Sequence, residues 1–177
     1  MARVKFVKFL CAMLCALFLG ANMGAEEPPA AAAVEQALPS VAEARRQAEV
    51  LHEAMHLTLQ IVHHRYYRED EGLPIPAATL ADVFRELEKE KQVKLRWLVV
   101  EGQAMNNDHK ARDEFEIRAA EALRTGKGEL EQVEKGVYRR AGPIALTNHC
   151  LKCHLPDRKS TATRTAGLIV SIPVQAK

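Results

Sequence analysis

Aromatic residues are scarce in this 177-residue chain, with one Trp, three Tyr and five Phe, and its formal net charge is only +2. Basic residues are interleaved with acidic ones, so neither the charge nor the stacking side chains of a nucleic-acid surface are present. Cysteine is equally sparing. Of the four, Cys11 and Cys15 fall in the first stretch, and only Cys150 and Cys153 remain in the body of the chain. That leaves too few cysteines for a disulfide framework. No internal repeat is visible, and the strand-like segments do not alternate with helical ones as a doubly wound parallel sheet requires.

The one long apolar run stands at the start. Arg3, Lys5 and Lys8 precede an apolar stretch from Phe9 to Gly20, followed by the small residues Ala21, Gly24 and Ala25. This order reads as a secretory signal over residues 1–25. The alternative is an uncleaved anchor helix, although the run is shorter than the roughly 20 residues a span prefers. Either way the remainder is expected to be periplasmic or otherwise exported, with no membrane contact beyond such an anchor. Removing the signal takes the formal charge from +2 to −1. Residues 26–39, rich in Ala, Pro and Glu, read as a tether, and 40–177 as a single domain large enough for a real core.

Within that domain, Ser40 is a good helix cap, and Val41 to about Tyr67 lacks Gly and Pro. Leu51, Met55, Leu59, Val62 and Tyr66 form its apolar stripe. Gly72, Pro74 and Pro76 break the chain before a second helix from about Ala77 to Lys91. Val93 to Val100 alternates like a strand. Asn106 and its neighbours make a polar loop, and Asp113 to Leu123 reads as a third helix. Three more strands are expected: Leu130 to Val133, Val137 to Leu146 and Gly167 to Val174. The second of these carries Gly142 and Pro143, and so should be bent or at an edge. Helices followed by clustered strands predict α+β with an antiparallel sheet.

Five residues near the end carry the chemistry: Cys150-Leu151-Lys152-Cys153-His154. This is the C-x-x-C-H spacing of covalent c-type haem attachment. Two thiols add across the two haem vinyl groups, and the histidine that follows supplies the proximal imidazole to iron. A zinc site or a redox dithiol is the alternative, but zinc needs a fourth well-placed ligand, and a redox dithiol usually opens a helix in a thioredoxin-like layout. In bacteria, haem of this type is attached on the exported side of the membrane, which agrees with the signal. One haem c is therefore the expected cofactor.

A distal ligand is sought among the histidines. His52, His56 and His63 lie on the first helix within an arc of about 40° at roughly 100° per residue, beside the apolar stripe. His56 is the first candidate because it lies between the other two; His52 and His63 follow. The plain alternative is that all three border an amphipathic face. Met55 offers a thioether but suits the core. His64 points off the stripe, His149 adjoins Cys150 too closely to reach the same iron without strain, and His109 sits in a polar loop and reads as exposed. Trp97, Phe115, Tyr66 and Tyr67 are candidates for the pocket wall or for ordinary core. Arg139 and Arg140 either pair with haem propionates or lie along a solvated strand edge. Lys152, Arg158 and Lys159 offer a basic rim to a partner or to the haem propionates.

The strand with Arg96-Trp97, the loop Asn106-Asn107-Asp108, the helix opening Asp113-Glu114-Phe115-Glu116, the late haem motif and the closing Ser171-Ile172-Pro173-Val174 together resemble the single-haem c-type sensor family with a PAS-like fold. Its members occur as small exported proteins and as sensory domains of bacterial histidine kinases and chemoreceptors. The resemblance implies an antiparallel sheet of about five strands flanked by helices, with haem between the sheet and the N-terminal helix. It implies attachment at Cys150 and Cys153 and proximal ligation by His154. Some members use a cysteine as sixth ligand, and this chain has no third exported cysteine to offer.

Three roles follow. The first is an exported monohaem protein sensing redox state or a diatomic gas, which would need a separate sensor-output protein. The second is a periplasmic electron-transfer cytochrome c without ligand exchange, docking on a redox partner. The third, an enzyme such as a peroxidase with His56 as acid-base group, has no residue that selects it.

Overall fold

The computed structural model describes residues 37–104, 106–154, 160 and 162–175, without the side chains of Glu69, Lys152, Cys153 and His154. The signal, most of the tether, and Arg158 and Lys159 lie outside the described residues. Leu38 and Pro39, at the end of the span read as a tether, are tied to the far end of the domain. The Gln175 amide nitrogen donates to the Pro39 carbonyl at 3.1 Å, and its side chain donates to Leu38 at 2.6 Å.

Helix α1 spans Val41–Arg65. The Ser40 hydroxyl caps it, accepting from the Glu43 amide at 3.3 Å. Its inward face carries the small Ala44 and Ala48, which let the helix lie close to the sheet, and then His52, Leu59 and His63. Helix α2, Pro76–Lys91, starts on a proline, where a missing N–H costs nothing, and ends at Gln92 in the left-handed region. Strand β1 (Lys94–Leu98) leads through the Asn loop to α3 (Glu114–Arg124). Then come β2 (Leu130–Glu134), β3 (Val137–Leu146), a seven-residue helix α4 (Asn148–His154) and β4 (Arg164–Pro173).

The four strands form one antiparallel sheet in the order β1-β4-β3-β2. Lys135 and Gly136, both at positive φ, make the two-residue turn between β2 and β3, as the twist of a hairpin demands. The last strand is central. Val170 in β4 pairs with Leu95 on one side and Arg140 on the other. Beyond Ala141, β3 has no β2 partner, so Pro143 sits at an open edge, where its missing N–H is tolerated.

Alternation along the strands supplies two cores. Leu168, Val170 and Ile172 join Trp97, Tyr138 and Ile144 beneath α1 and α2. Ile169 faces the other way and joins Leu98, Phe115, Ala119 and Ala141 beneath α3. Each buried side chain of this size contributes about 1.5–3 kcal/mol of transfer free energy. The molecule is thus α+β, with helices on both faces of the sheet. The sheet has four strands among the described residues, where the resemblance implied about five. β4 begins three residues earlier than its alternation suggested, because pairing with the full length of β3 carries it back to Arg164.

Candidate functional site

β3 delivers the chain directly into α4. The Leu151 amide bonds the Thr147 carbonyl at 3.1 Å, and the Thr147 hydroxyl lies 3.5 Å from the Cys150 sulfur. Cys150 is a free thiol, 6% exposed, packed with Leu146 and Leu151. The helical backbone brings positions 150, 153 and 154 round to one side of α4, since residues three and four apart are neighbours on a helix.

Opposite Cys150 stands the C-terminal end of α1. The Gln60 side chain donates to the Ala145 carbonyl at 2.7 Å and fastens α1 to β3. His63 is buried, with its ring 4.8 Å from that of His149 in an edge-on arrangement and 5.0 Å from Tyr67. Between these elements lies a cavity of about 390 Å³, bordered by Gln60, His63 and His64 on α1 and by Thr147, His149 and Cys150 on the other side. This volume is within the range of small-molecule sites. A buried thiol facing imidazoles across a cavity is a donor set suited to a c-type haem.

The structure therefore divides the three stripe histidines. His63 shares the cavity with Cys150. His56 is half-buried, does not border that cavity, and sits 6.1 Å ring to ring from His52. His52 is buried further along α1, over Gly142 of β3. Burial and the neighbouring Arg140 guanidinium lower its pKa below the ordinary value, against an upward pull from the Gly142 backbone. Met55 packs against the core. His109 is half-buried where the sequence suggested exposure, because its carbonyl accepts the Val99 amide at 2.8 Å and draws the loop onto β1.

Trp97 and Phe115 border neither that cavity nor each other. Trp97 packs 5.0 Å from the Phe84 ring, and its indole N–H donates to the Ala77 carbonyl at 3.1 Å. Phe115 lies on the opposite face of the sheet, with the Arg139 guanidinium 4.3 Å above its ring. Both serve the core in this arrangement. Tyr66 is exposed. Arg139 and Arg140 point to opposite faces of β3, and neither is a solvated edge residue. Arg139 pairs with Asp113 at 2.7 Å and with Glu116 at 3.1 Å. Arg140 is buried on the α1 side and pairs with Glu129.

Glu116, noted in the sequence only as part of the α3 opening, has a role there that sequence reasoning did not assign. It is 3% exposed and receives Arg96, Arg139 and the Arg112 amide, the last at 2.7 Å. Arg96 also donates to the carbonyls of Asp108 and Lys110, and so pins the Asn loop. Asp113 caps α3 by accepting the Glu116 amide at 2.9 Å. Three of the motifs behind the resemblance, the strand with Arg96, the Asn loop and the α3 start, thus converge on one ion-pair knot, on the face of the sheet away from Cys150. An acid three residues after a capping Asp was the available signal.

Among the described residues, no group of three or more His, Cys, Asp or Glu side chains is placed to hold a metal ion. Among them, too, no helix is long and apolar enough to cross a membrane. No curated protein matches the chain. Among solved structures, the crystal structure of the cyanobacterial heme-protein Tll0287 aligns with a TM-score of 0.49 at 17% identity, covering 77% of this chain and 95% of that one. The model of the Tll0287-like family matches residues 36–168, three-quarters of the sequence, and the chain belongs to that family.

Proposed function

We propose that this protein is an exported monohaem c-type cytochrome. In this reading Cys150 and Cys153 hold the haem covalently, His154 is the proximal ligand, and an α1 histidine, His63 before His52 and His56, occupies the distal side. The observation that carries it is the C-x-x-C-H motif on α4, with the buried Cys150 thiol opening on a cavity bordered by His63. Family membership and the cyanobacterial heme-protein named above point the same way. Haem supplies a one-electron iron centre whose sixth position can exchange ligands. The chain contributes the rest. Leu146 and Leu151 keep water from one side of Cys150, and Gln60 holds α1 against β3 so that His63 faces the motif.

The role this arrangement supports is sensing of redox state or of a diatomic gas. His63 lies in the last turn of the longest helix, so loss of its bond to iron would free that turn and alter the surface around Tyr66 and Arg65. A partner protein would read the change. The electron-carrier reading draws on the same burial of His63, because a buried second imidazole can hold the sixth position permanently.

The test is spectroscopic. Protein matured with haem-attachment machinery should retain its colour after denaturation and show a thioether-linked haem spectrum. Carbon monoxide added to the reduced form should shift the Soret band promptly if the distal ligand exchanges; an unchanged band assigns the carrier role. Replacing His63, His56 and His52 singly identifies the distal residue, with His63→Ala expected to convert the six-coordinate spectrum to a five-coordinate one. Colourless protein with both thiols open to alkylation would reject the whole reading.

A further inference from the structure

Helix α1 is apolar on two faces. Its inward face packs against the core through Ala44, Ala48 and Leu59. On its outward face Val50 is 69% exposed, Leu57 and Ile61 are each 50% exposed, and Ala54 is exposed between them. A helix that only covers a core needs one apolar stripe. The outward residues recur at alternating steps of four and three. The same steps reach Gln47 and Glu43 on one side and His64 on the other, and all of these are exposed too. This is the 3.5-residue period of a two-helix seam, which keeps one line of side chains facing a second helix along its whole length. At 1.5 Å per residue, the line from Glu43 to His64 is about 32 Å long.

The order of residues along the seam selects what lies on it. We infer that its occupant is a second copy of this chain, with the two α1 helices antiparallel about a two-fold axis that passes between Ala54 and Leu57. In that register Ala54 faces Leu57, small against large, and Val50 faces Ile61. Gln47 then faces His64, and Glu43 reaches the basic end of the other helix, where Arg65 and Arg68 are exposed. The charge along α1 runs the same way. Its acids Glu43, Glu49 and Glu53 all precede Ala54, and the residues after Ala54 include His64 and Arg65 but no acid. Antiparallel pairing also sets opposite ends of the two helix dipoles side by side. Parallel pairing would instead stack Glu43 on Glu43 and His64 on His64, gathering like charges at each end. Four apolar positions per helix make a seam near the low end of specific interfaces, about 1,200 Å² in total, so the dimer is a reversible one. Ile61 and His64 also border the cavity beside Cys150, and the second copy therefore stands at the rim of that site. The pairing does not rest on the haem reading.

The experiment is sedimentation equilibrium of the protein matured with haem-attachment machinery. Its mass should be that of two chains at about 100 μM and should fall toward one chain at about 1 μM. Leu57→Glu puts a charge at the centre of the seam and should give a single-chain mass at both concentrations. Its far-UV circular dichroism should match the wild type's, because residue 57 is half in solvent in one chain alone. Val133→Glu changes an equally exposed apolar residue on β2 and should leave the dimer intact. For direction, mild oxidation of an equimolar mixture of Val50→Cys and Ile61→Cys proteins should link one of each by a disulfide, and Val50→Cys alone should stay unlinked. A wild-type mass of one chain at about 100 μM overturns the proposal even if a variant fails to fold. A dimer that survives Leu57→Glu, or one that is lost in Val133→Glu, overturns it as well. Val50→Cys that links to itself in preference to Ile61→Cys overturns the antiparallel register and the charge argument with it.

Discussion

Gly142 has no room for a side chain. Its ideal β-carbon position is within 3 Å of His52 Nε2, His52 Cδ2 and Arg140 Nη1, closer than packed atoms tolerate. Gly142→Ala should therefore destabilise the fold by about 1–3 kcal/mol, the range for overpacking a filled site, measured by urea unfolding. Glu116 poses the opposite problem, loss of a needed charge. Glu116→Gln leaves Arg96 and Arg139 facing a neutral amide, and should cost about 2–3 kcal/mol, less than a fully buried pair because both arginine side chains keep some solvent contact. Asp82→Asn, which breaks an exposed pair with Arg85 on α2, should change stability by less than about 0.5 kcal/mol in the same assay. At this scale the motif was legible, because Cys150, Cys153 and His154 are adjacent in sequence. Which of His52, His56 and His63 shares a cavity with Cys150 was not. All three share one helical arc, and only the point where β3 hands the chain to α4 decides which of them meets Cys150.

Helix α3 shows how one element is set by its first residue. Burial alone would raise the Asp113 carboxyl, but the amides of Glu116 and Phe115 and the Arg139 guanidinium outweigh it and hold its pKa below the ordinary 3.8. A carboxyl depressed in the folded state stabilises the fold when ionised. That contribution is complete above the unfolded value and is lost as pH falls from about 4 through the folded value. Asp113→Asn keeps a capping side chain but removes the charge. Its unfolding free energy should fall less steeply than the wild type's as pH drops below about 4, and denaturant titrations across that range would measure the difference. The helix itself was readable from sequence by this same Asp and the apolar positions after it, as α1 was from Ser40 and β1 was from alternation. Helix α4 was not, since seven residues give two turns at most and no apolar stripe. It is a helix because the end of β3 and the Thr147–Leu151 bond start a turn there.

At the scale of the molecule, the chain closes its sheet with its last element. β4 bonds to β1 and β3 together, and nearly every side chain from Gly167 to Val170 is buried. This central position follows from no local pattern. Strong alternation in residues 167–174 announces a strand but not its neighbours, and only the register Lys94↔Ser171 and Val137↔Pro173 places it between the other two. A proline at Val170 would remove a ladder donor in a strand paired on both sides and put a ring where the side chain is fully buried, a loss of about 3 kcal/mol or more. Cooperative unfolding should be abolished in Val170→Pro, as followed by circular dichroism. The haem motif precedes β4 in the chain, and thioether formation needs only the two thiols and the adjoining histidine. On the haem attachment proposed above, Val170→Pro protein should still gain haem when produced with attachment machinery, while losing any six-coordinate spectrum that depends on α1 being held against β3. Haem stain with a five-coordinate or solvent-ligated spectrum would show that attachment is local and distal ligation is a property of the closed sheet. A six-coordinate spectrum equal to the wild type's would place the distal ligand within the motif's own neighbourhood instead of on α1.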